Sequence, residues 1–401
     1  MKQISLRQFI TFERGFKLSR RDIVKGVYPV VASSAIIGYH NEYKVLSPGV
    51  IIGVNGALNE AHYINNNFWP HNNVFWVKDF KGNLPRYVYY YLKSLDLTRF
   101  DSGIVIPKLN RNDLYSIEIA VHDTISQQKI VNILSAYDEL IEMNNRRIII
   151  LEELKQMTHK EWFVNLRFPE YDNTQKVNID IGWIPKGWSI VRLRDVISSY
   201  IIGTWGNDIR DDIHSESAYV IRGVDIPKII RCDIRKCSLR YHRKSILQNR
   251  KASHLDIVLE ISGGTGGQLI GRSILMTKDI LALFNTDVIT TKFCKLIRIK
   301  NDIFSSYYFD QHIKRMYNDG TISKYRTQST GITNIQFESL LDEVKIALPP
   351  KKFLEQYDEV QMNLYTASYN IGHMNSVLIK TRDLLLNKLI RGEIDVKTLD
   401  V

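Results

Sequence analysis

Cysteine is scarce in this chain of 401 residues, with only Cys232, Cys237 and Cys294. An odd number without C-x-x-C spacing supports neither a disulfide framework nor a thiolate zinc site, and points to a reducing compartment. Long apolar runs are missing too. No stretch of about 18 apolar residues occurs, and the opening "MKQISLRQFITFERGFKLSRR" breaks its apolar residues with charge, so neither a membrane span nor a secretory leader is expected. The expectation is a cytoplasmic protein. Ten histidines are scattered without an H-E-x-x-H or other close ligand pair, and no G-x-S-x-G elbow or kinase-like set is present. No local element supports a self-contained enzyme, and no metal site is expected.

What the chain has is length and positive charge. A chain of this length implies two or three domains, and 44% hydrophobic with 24% charged residues is a soluble, folding composition. Lys and Arg outnumber Asp and Glu by 54 to 43, a net charge of +11, which makes a polyanionic partner the natural expectation.

The densest glycine stretch, "SGGTGGQLIGRS" (Ser262–Ser273), scans from Gly266 as G-x-x-x-x-G-R-S, one residue from the loop that cradles nucleotide phosphates. Such a loop must join a strand to a helix N-terminus. Here the flanks "DIVLEI" and "ILMTKDILALF" read as two short strands, and Arg272 stands in place of the lysine. The glycines are read as turn geometry, and no ATP site is expected. An autonomous nucleotide-dependent enzyme is the alternative that rests on this loop alone.

Two segments carry helical, heptad-like spacing over about ten turns. The first seam runs Ile130, Leu134, Tyr137, Ile141, Asn144, Ile148, Leu151; the second runs Phe353, Tyr357, Val360, Leu364, Ala367, Ile371, Met374, Leu378. Each helix is expected to be about 55 Å long, more than one small domain can bury, so the two stripes should cover each other. Cations close both helices, Lys155 with Lys160 and Lys388 with Arg391, and Gly392 reads as a stop. Asn144 on the first seam and Gly372 beside the second depart from a plain zipper; Asn144 reads equally as a buried register-setting amide or as a slightly exposed seam position.

The remaining blocks, Met1 to Asp123 and about Ile184 to Pro350, can be laid over each other. "GVIIGVNGALNE" from Gly49 matches "DIVLEISGGTGG" from Asp256, and "SGIVIPKLNRNDLYSIEIAV" from Ser102 matches "TGITNIQFESLLDEVKIALP" from Thr330. The chain is therefore read as a duplicated unit of mixed block plus long helix, with a linker between the halves.

Candidate DNA-binding residues lie in the turn-rich parts of the blocks. In the first block they are Lys17, Arg20 and Arg21 of "FKLSRRDIVKG", with Asn55 and Asn59 of the glycine turn. In the second they are Asn207 and Arg210 beside Trp205, then Arg222, then Ser262, Thr265 and Arg272 of the Gly-rich stretch, and Lys324, Arg326 and Gln328 of "ISKYRTQST". Arginine and lysine suit phosphates and guanine edges, and Asn and Gln can bind adenine bidentately. A basic adaptor without sequence preference is the second alternative.

Two variable blocks alternating with two long helices, with "IGWIPKGWSIVRLRDV", "AYVIRGVDI", "DIVLEISGG", "QSTGITNI" and "IALPPKKFLEQ" in order, resemble the specificity subunit of type I restriction–modification enzymes. The resemblance covers essentially the whole chain. It implies an α+β fold: two mixed α/β target recognition domains separated by two long antiparallel coiled-coil-like helices, with pseudo-two-fold duplication. The implied boundaries are 1–123 and 184–350 for the recognition domains, 124–165 and 351–392 for the helices, 166–183 for a linker and 393–401 for a tail. It further implies a non-catalytic subunit reading double-stranded DNA with a split site, the helices setting the spacer and docking two modification (methyltransferase) subunits, with restriction subunits added. S-adenosylmethionine, ATP and Mg then belong to those partners, and no cofactor to this chain. Ile125 to Phe163 matches the family's central helix and Lys351 to Arg391 the distal one, with Gln128 and Gln356 at corresponding entries. Two departures stand out: the first block lacks the "IPxGW" opening and begins near the equivalent of Arg192, and "GVNG" lacks the arginine common in that turn.

Overall fold

The computed structural model describes residues 1–55, 60–97, 109–169, 175–179, 182–263, 269–329 and 331–399. The chain divides into two compact units, Met1–Leu140 with Leu378–Val401, and Ile141–Val377. Among the described residues of the first, the order is β1 (Lys2–Ser5), α1 (Leu6–Phe9), β2 (Thr11–Arg14), β3 (Lys25–Val31), β4 (Ile36–His40), β5 (Gly49–Gly53), β6 (Ala61–Ile64), β7 (Trp69–Pro70), β8 (Val74–Asp79), α2 (Pro85–Ser94), α3 (Arg111–Tyr115), β9 (Glu118–Val121) and the start of α4 (Thr124–Phe163).

These strands form a four-stranded sheet ordered β2-β8-β5-β6, a three-stranded sheet β4-β3-β7 and the pair β1-β9. Strand β5, "GVIIG", is buried at every residue because it lies inside its sheet beneath α2, which is why it reads as an apolar run and not an alternation. Helix α2 starts on a proline, which fits the first turn, and buries Tyr87, Tyr90 and Tyr91. Each hydroxyl finds a partner: His122 Nδ1 at 2.9 Å, Asp138 at 2.6 Å and the Ala120 carbonyl at 3.2 Å.

The second unit holds β10 (Lys176–Ile179), β11 (Gly182–Pro185), β12 (Ser189–Arg192), α5 (Leu193–Val196), β13 (Ile197–Ile202), β14 (Glu216–Ile221), α6 (Ile226–Ile229), β15 (Ser238–His242), α7 (Lys244–Arg250), β16 (Asp256–Glu260), β17 (Ser262–Gly263), β18 (Ser273–Met276), α8 (Lys278–Ala282), β19 (Asp287–Thr290), β20 (Cys294–Ile299), α9 (Ser306–Asn318), β21 (Arg326–Ser329), β22 (Ile332–Ile335), α10 (Phe337–Glu343), β23 (Lys345–Leu348) and α11 (Lys351–Ile390). Three of its sheets repeat those of the first unit strand for strand, while β17-β22-β21 and the hairpin β10-β11 have no counterpart among the described residues there. The order β13-β20-β16-β18 answers β2-β8-β5-β6, β15-β14-β19 answers β4-β3-β7, and β12-β23 answers β1-β9. Even the parallel pairing recurs, β3 with β7 and β14 with β19. The duplication read from two short matches therefore extends to three sheets of each block among the described residues. It also makes β1 the equivalent of β12 residue for residue, so that Ser5 answers Arg192 and the first block extends a few residues ahead of that equivalent.

Two features differ from expectation. The segment read as a linker contains the hairpin β10–β11, with Lys176 opposite Pro185. The "IPKGW" opening then ends on Trp188, which is buried among Phe163, Phe168 and Phe353 at ring distances of 6.0, 5.6 and 5.0 Å.

Helices α4 and α11 are 40 residues each, about 60 Å at helical rise, and run antiparallel. Thr124 and Phe163 correspond to Lys351 and Ile390, a constant shift of 227 that sets Gln128 against Glu355 and not, as the resemblance implied, against Gln356. Burial on α4 follows the expected seam at Ile130, Leu134, Ile141, Asn144 and Ile148. On α11 it holds at Tyr357 but then departs: Val360 and Met374 are exposed, and Gln361, Ser368 and Asn375 are buried instead. Reading by apolar spacing selects an apolar neighbour wherever the seam itself is polar. Lys155, expected to meet the helix dipole, is also inside, paired with Glu152. Gly392 does end α11, at φ +71, with the Gly392 N–H on the Leu389 carbonyl at 3.2 Å.

The duplication reaches the chemistry of domain seating. In the first unit, Tyr90 of α2 donates to Asp138 of α4, which pairs with Arg382 of α11 at 2.7 Å. The equivalent set in the second unit is Gln311 of α9, donating to Tyr365 of α11 at 2.7 Å, with Lys155 of α4 4.0 Å from the Tyr365 ring centroid. A carboxylate–guanidinium pair has been exchanged for a cation–π contact at the same place.

Near the second set, His159 and His312 are buried among Tyr308, Phe163 and Tyr357. Burial pushes both imidazoles down, His312 to about 3 and His159 well below its ordinary value. The unfolded chain takes up protons below about pH 6.5, while the folded chain refuses them until far lower. Stability is therefore expected to be flat above that pH and to fall towards pH 3, approaching about 1.4 kcal/mol per pH unit for each histidine. Urea unfolding of the parent and of His312→Phe at pH 7.5 and 5 checks this, the variant showing the shallower loss.

Candidate nucleic-acid interface

The Gly-rich stretch leaves β16 and returns as β18, which pairs antiparallel with β16, Leu259 opposite Ser273. Its flanks are both strands, so among the described residues it does not lead from a strand into a helix N-terminus as a phosphate loop must. Gly271 has φ +113, and a Cβ there would lie 2.6 Å from Ile322 Cδ1, so the close approach to that neighbour explains this glycine.

Strand β17 at the base of the stretch pairs with β22, and β22 with β21. Ser262, Asn334 and Thr327 form one row, and Gly263, Thr333 and Gln328 the next. Two clusters more than 50 residues apart in sequence are thereby one surface. Lys324 and Gln328 are exposed there and Arg326 is half-buried. The Ser262 hydroxyl is turned inward, donating to Asn334. The N–H of Ser262 also reaches the Phe293 carbonyl at 3.1 Å, which brings in an exposed Phe293 with Lys292 5.4 Å from its ring centroid. This pair was passed over in the sequence; a Lys-Phe turn between two apolar strands, in "TTKFCKLI", is the signal that could have found it.

Arg272 is placed differently from a DNA reader. Its guanidinium forks onto buried Glu260 at 2.8 and 2.7 Å, with side-chain exposures of 12% and 3%. A planar donor set already satisfied by a buried carboxylate has little left for a base edge. Glu260 Oε1 also lies 2.0 Å from where a Cβ on Gly223 would stand, so this ion pair is built into the sheet. Arg222 is likewise engaged, by Asp225 at 2.9 Å and the Lys236 carbonyl at 3.1 Å.

The loop after β13 is held by its own side chains. Asn207 exchanges backbone bonds with Tyr241 at 2.9 and 3.0 Å, and its amide reaches Asp211 at 3.3 Å and His214 at 3.0 Å. The Asp211 carboxylate, held down at about 2 by the His214 N–H, also accepts from Ile213 N at 2.9 Å. Asn207 is thus a staple of the loop. What the loop presents outward is Ile209, 78% exposed, and Arg210, exposed and without an ion-pair partner among the described residues. Behind them Arg240 lies 4.4 Å from the Trp205 ring centroid and pairs with Asp208.

In the first unit Lys17, Arg20 and Arg21 are all exposed, Arg21 3.8 Å from Asp22. Asn55 is half-buried beside Val54, whose carbonyl accepts from Leu109 N at 2.9 Å. Asn59 and Thr265 lie outside the described residues. The sheet that corresponds to the Trp205–Arg240 sheet again stacks a cation on tryptophan, Lys44 4.8 Å from the Trp69 ring centroid, beside exposed Tyr39 and Tyr43. The sequence reading missed this group because "YHNEYK" is not rich in cations.

Among the described residues, no group of three or more His, Cys, Asp or Glu could hold a metal ion, and no helix is long and apolar enough to cross a membrane.

Residues 1–153 match the family model for the type I restriction modification DNA specificity domain. The type I restriction enzyme MjaIX specificity subunit of Methanocaldococcus jannaschii is 24% identical over 336 residues, covering 79% of this chain and 71% of that one. The MjaVIII specificity subunit of the same organism is 31% identical over 113 residues, covering 28% and 26%. The crystal structure of the type I restriction–modification S subunit from M. genitalium matches with a TM-score of 0.52 over 97% of this chain and 95% of that one, at 14% identity, which is a likeness of fold. A specificity-domain match over residues 1–153, together with an alignment to a specificity subunit over most of the length, makes the chain similar to type I restriction–modification specificity subunits.

Proposed function

We propose that the two units are target recognition domains, each reading one half of a split site in double-stranded DNA, in a subunit that carries no catalysis of its own. The observation that carries this reading is the duplication: one strand order in both units, with different side chains exposed on corresponding loops. Two copies of one scaffold with different loops suit an asymmetric bipartite target. Phosphate neutralisation by the surplus of cations supplies affinity, and base-edge contacts supply choice. In the second unit the readers are Arg210, Lys324, Arg326 and Gln328, with Lys292 and Phe293 beside them; in the first they are Lys17, Arg20 and Arg21.

The helix pair is the docking surface for two modification subunits, with restriction subunits added to that complex. On α4, Met143, Ile150, Leu154 and Met157 are exposed at heptad-like spacing, a stripe left over after the seam is buried. S-adenosylmethionine, ATP and Mg belong to those partners.

Competition binding with the chain assembled on its modification subunits tests the reading. A duplex carrying the split site is expected to outcompete scrambled duplexes, and Lys324→Ala is expected to lower the slope of log K against log salt by about 1 if its contact is to phosphate. Equal affinity for every duplex would replace the reading with that of a basic adaptor.

A further inference from the structure

We propose that the Asn144–Asn375 amide pair selects the pairing of α4 with α11 of the same chain against symmetric pairing with a second copy. This inference stands apart from the DNA-reading proposal. Asn144 and Asn375 are 1% and 3% exposed, and the Asn144 amide donates to the Asn375 carbonyl oxygen at 2.9 Å. The Asn375 amide in turn reaches the Ile141 carbonyl at 3.4 Å and Asn145 Oδ1 at 3.3 Å. The Asn144 amide nitrogen, which also reaches Met374 Sδ at 3.6 Å, finds its acceptors on α11, and the Asn375 amide nitrogen finds its own on α4.

The two helices are duplicates shifted by 227 residues, so each can in principle replace the other. Were α4 to pair antiparallel with α4 of a second copy, the place of Asn375 would be taken by Ile148, and that of Met374 by Arg147. Neither offers an acceptor, and the buried Asn144 donor would be stranded twice in the symmetric pair. Were α11 to pair with α11 of a second copy, Asn375 would meet Ile371 and Gly372 and lose both side-chain partners. The flanking pairs do not discriminate in this way. Asp138, which now meets Arg382, would meet Lys155; Tyr365, which now holds Lys155 on its ring, would meet Arg382. Sign and cation–π character survive both exchanges, so at these three layers selectivity rests on the central amides. Leaving a buried amide unpaired is costly, and a single buried Asn is known to decide helix partnership.

The test uses the full chain as parent, Asn144→Ile, Asn375→Ile and the double variant, each unfolded, refolded and measured by light scattering on a sizing column beside its thermal midpoint. The parent is expected to keep the mass of one chain. Each single variant strands one amide in the native pairing and frees one symmetric pairing, so each should lose midpoint and gain a species of twice the mass. The double variant has an apolar layer in every pairing; it should recover the midpoint and still contain the doubled species. The double variant also keeps the test decisive where a single variant fails to refold. A double variant whose mass distribution matches the parent's, whether both are single or both doubled, would overturn the proposal.

Discussion

Arg272→Ala is expected to destabilise the second unit by about 3–5 kcal/mol, because it strands a buried carboxylate. Glu260 is 2% exposed, its two oxygens are taken up by the guanidinium at 2.7 and 2.8 Å, and its carboxylate fills the space that a side chain on Gly223 would need. The urea midpoint of the variant should drop well below that of the parent. Removing both charges together, as Arg272→Met with Glu260→Leu, should recover most of the loss, since an apolar pair of similar volume replaces a desolvated ion pair at little cost. Unchanged stability with altered choice of DNA would instead make the guanidinium a reader and refute the account of the fork.

Asp310→Ala should have a comparable effect, again about 3–5 kcal/mol. Asp310 is fully buried on α9, where it accepts from the Ser273 hydroxyl at 2.7 Å, from the Tyr365 hydroxyl, and from Lys314 at 2.9 Å. It therefore ties β18 and α11 to one helix, and its loss leaves Lys314 with Glu152 at 3.6 Å as its one ion-pair partner among the described residues. A double-mutant cycle with Lys314→Met separates the pair from the rest of the network, and a large positive coupling is expected. Additive effects would mean that the ion pair is incidental and that the hydroxyl contacts carry the seat.

The architecture was largely legible because it rests on periodicity and repetition. The spacing of Ile130, Leu134, Ile141 and Ile148 marked α4, and the likeness of "GVIIG" to "DIVLE" marked strands that prove to be the equivalent central β5 and β16. Where the seam turned polar the reading slipped, choosing Val360 and Met374 over Gln361 and Asn375, since hydrophobic spacing carries no information about a buried amide that has found a partner. The candidate interface was less legible. Cations were selected by local density, but whether an arginine is available depends on distant neighbours: Glu260 for Arg272, Asp225 for Arg222. Asn207 looked like an adenine reader and serves its own loop. Joining Ser262 to Gln328 required the pairing of β17, β22 and β21, which no local pattern announces.

The central claim, that each unit reads its own half of a split site, is tested most directly by mapping methylated adenines genome-wide in a host expressing this chain with its modification subunits. Arg210, Lys324, Arg326 and Gln328, all in the second unit, are replaced together by alanine and the methylated motif is compared with the parent's. The account predicts a bipartite motif that relaxes or disappears in one half while the other half keeps its sequence. A motif unchanged by the substitution, or equally degraded in both halves, would contradict it.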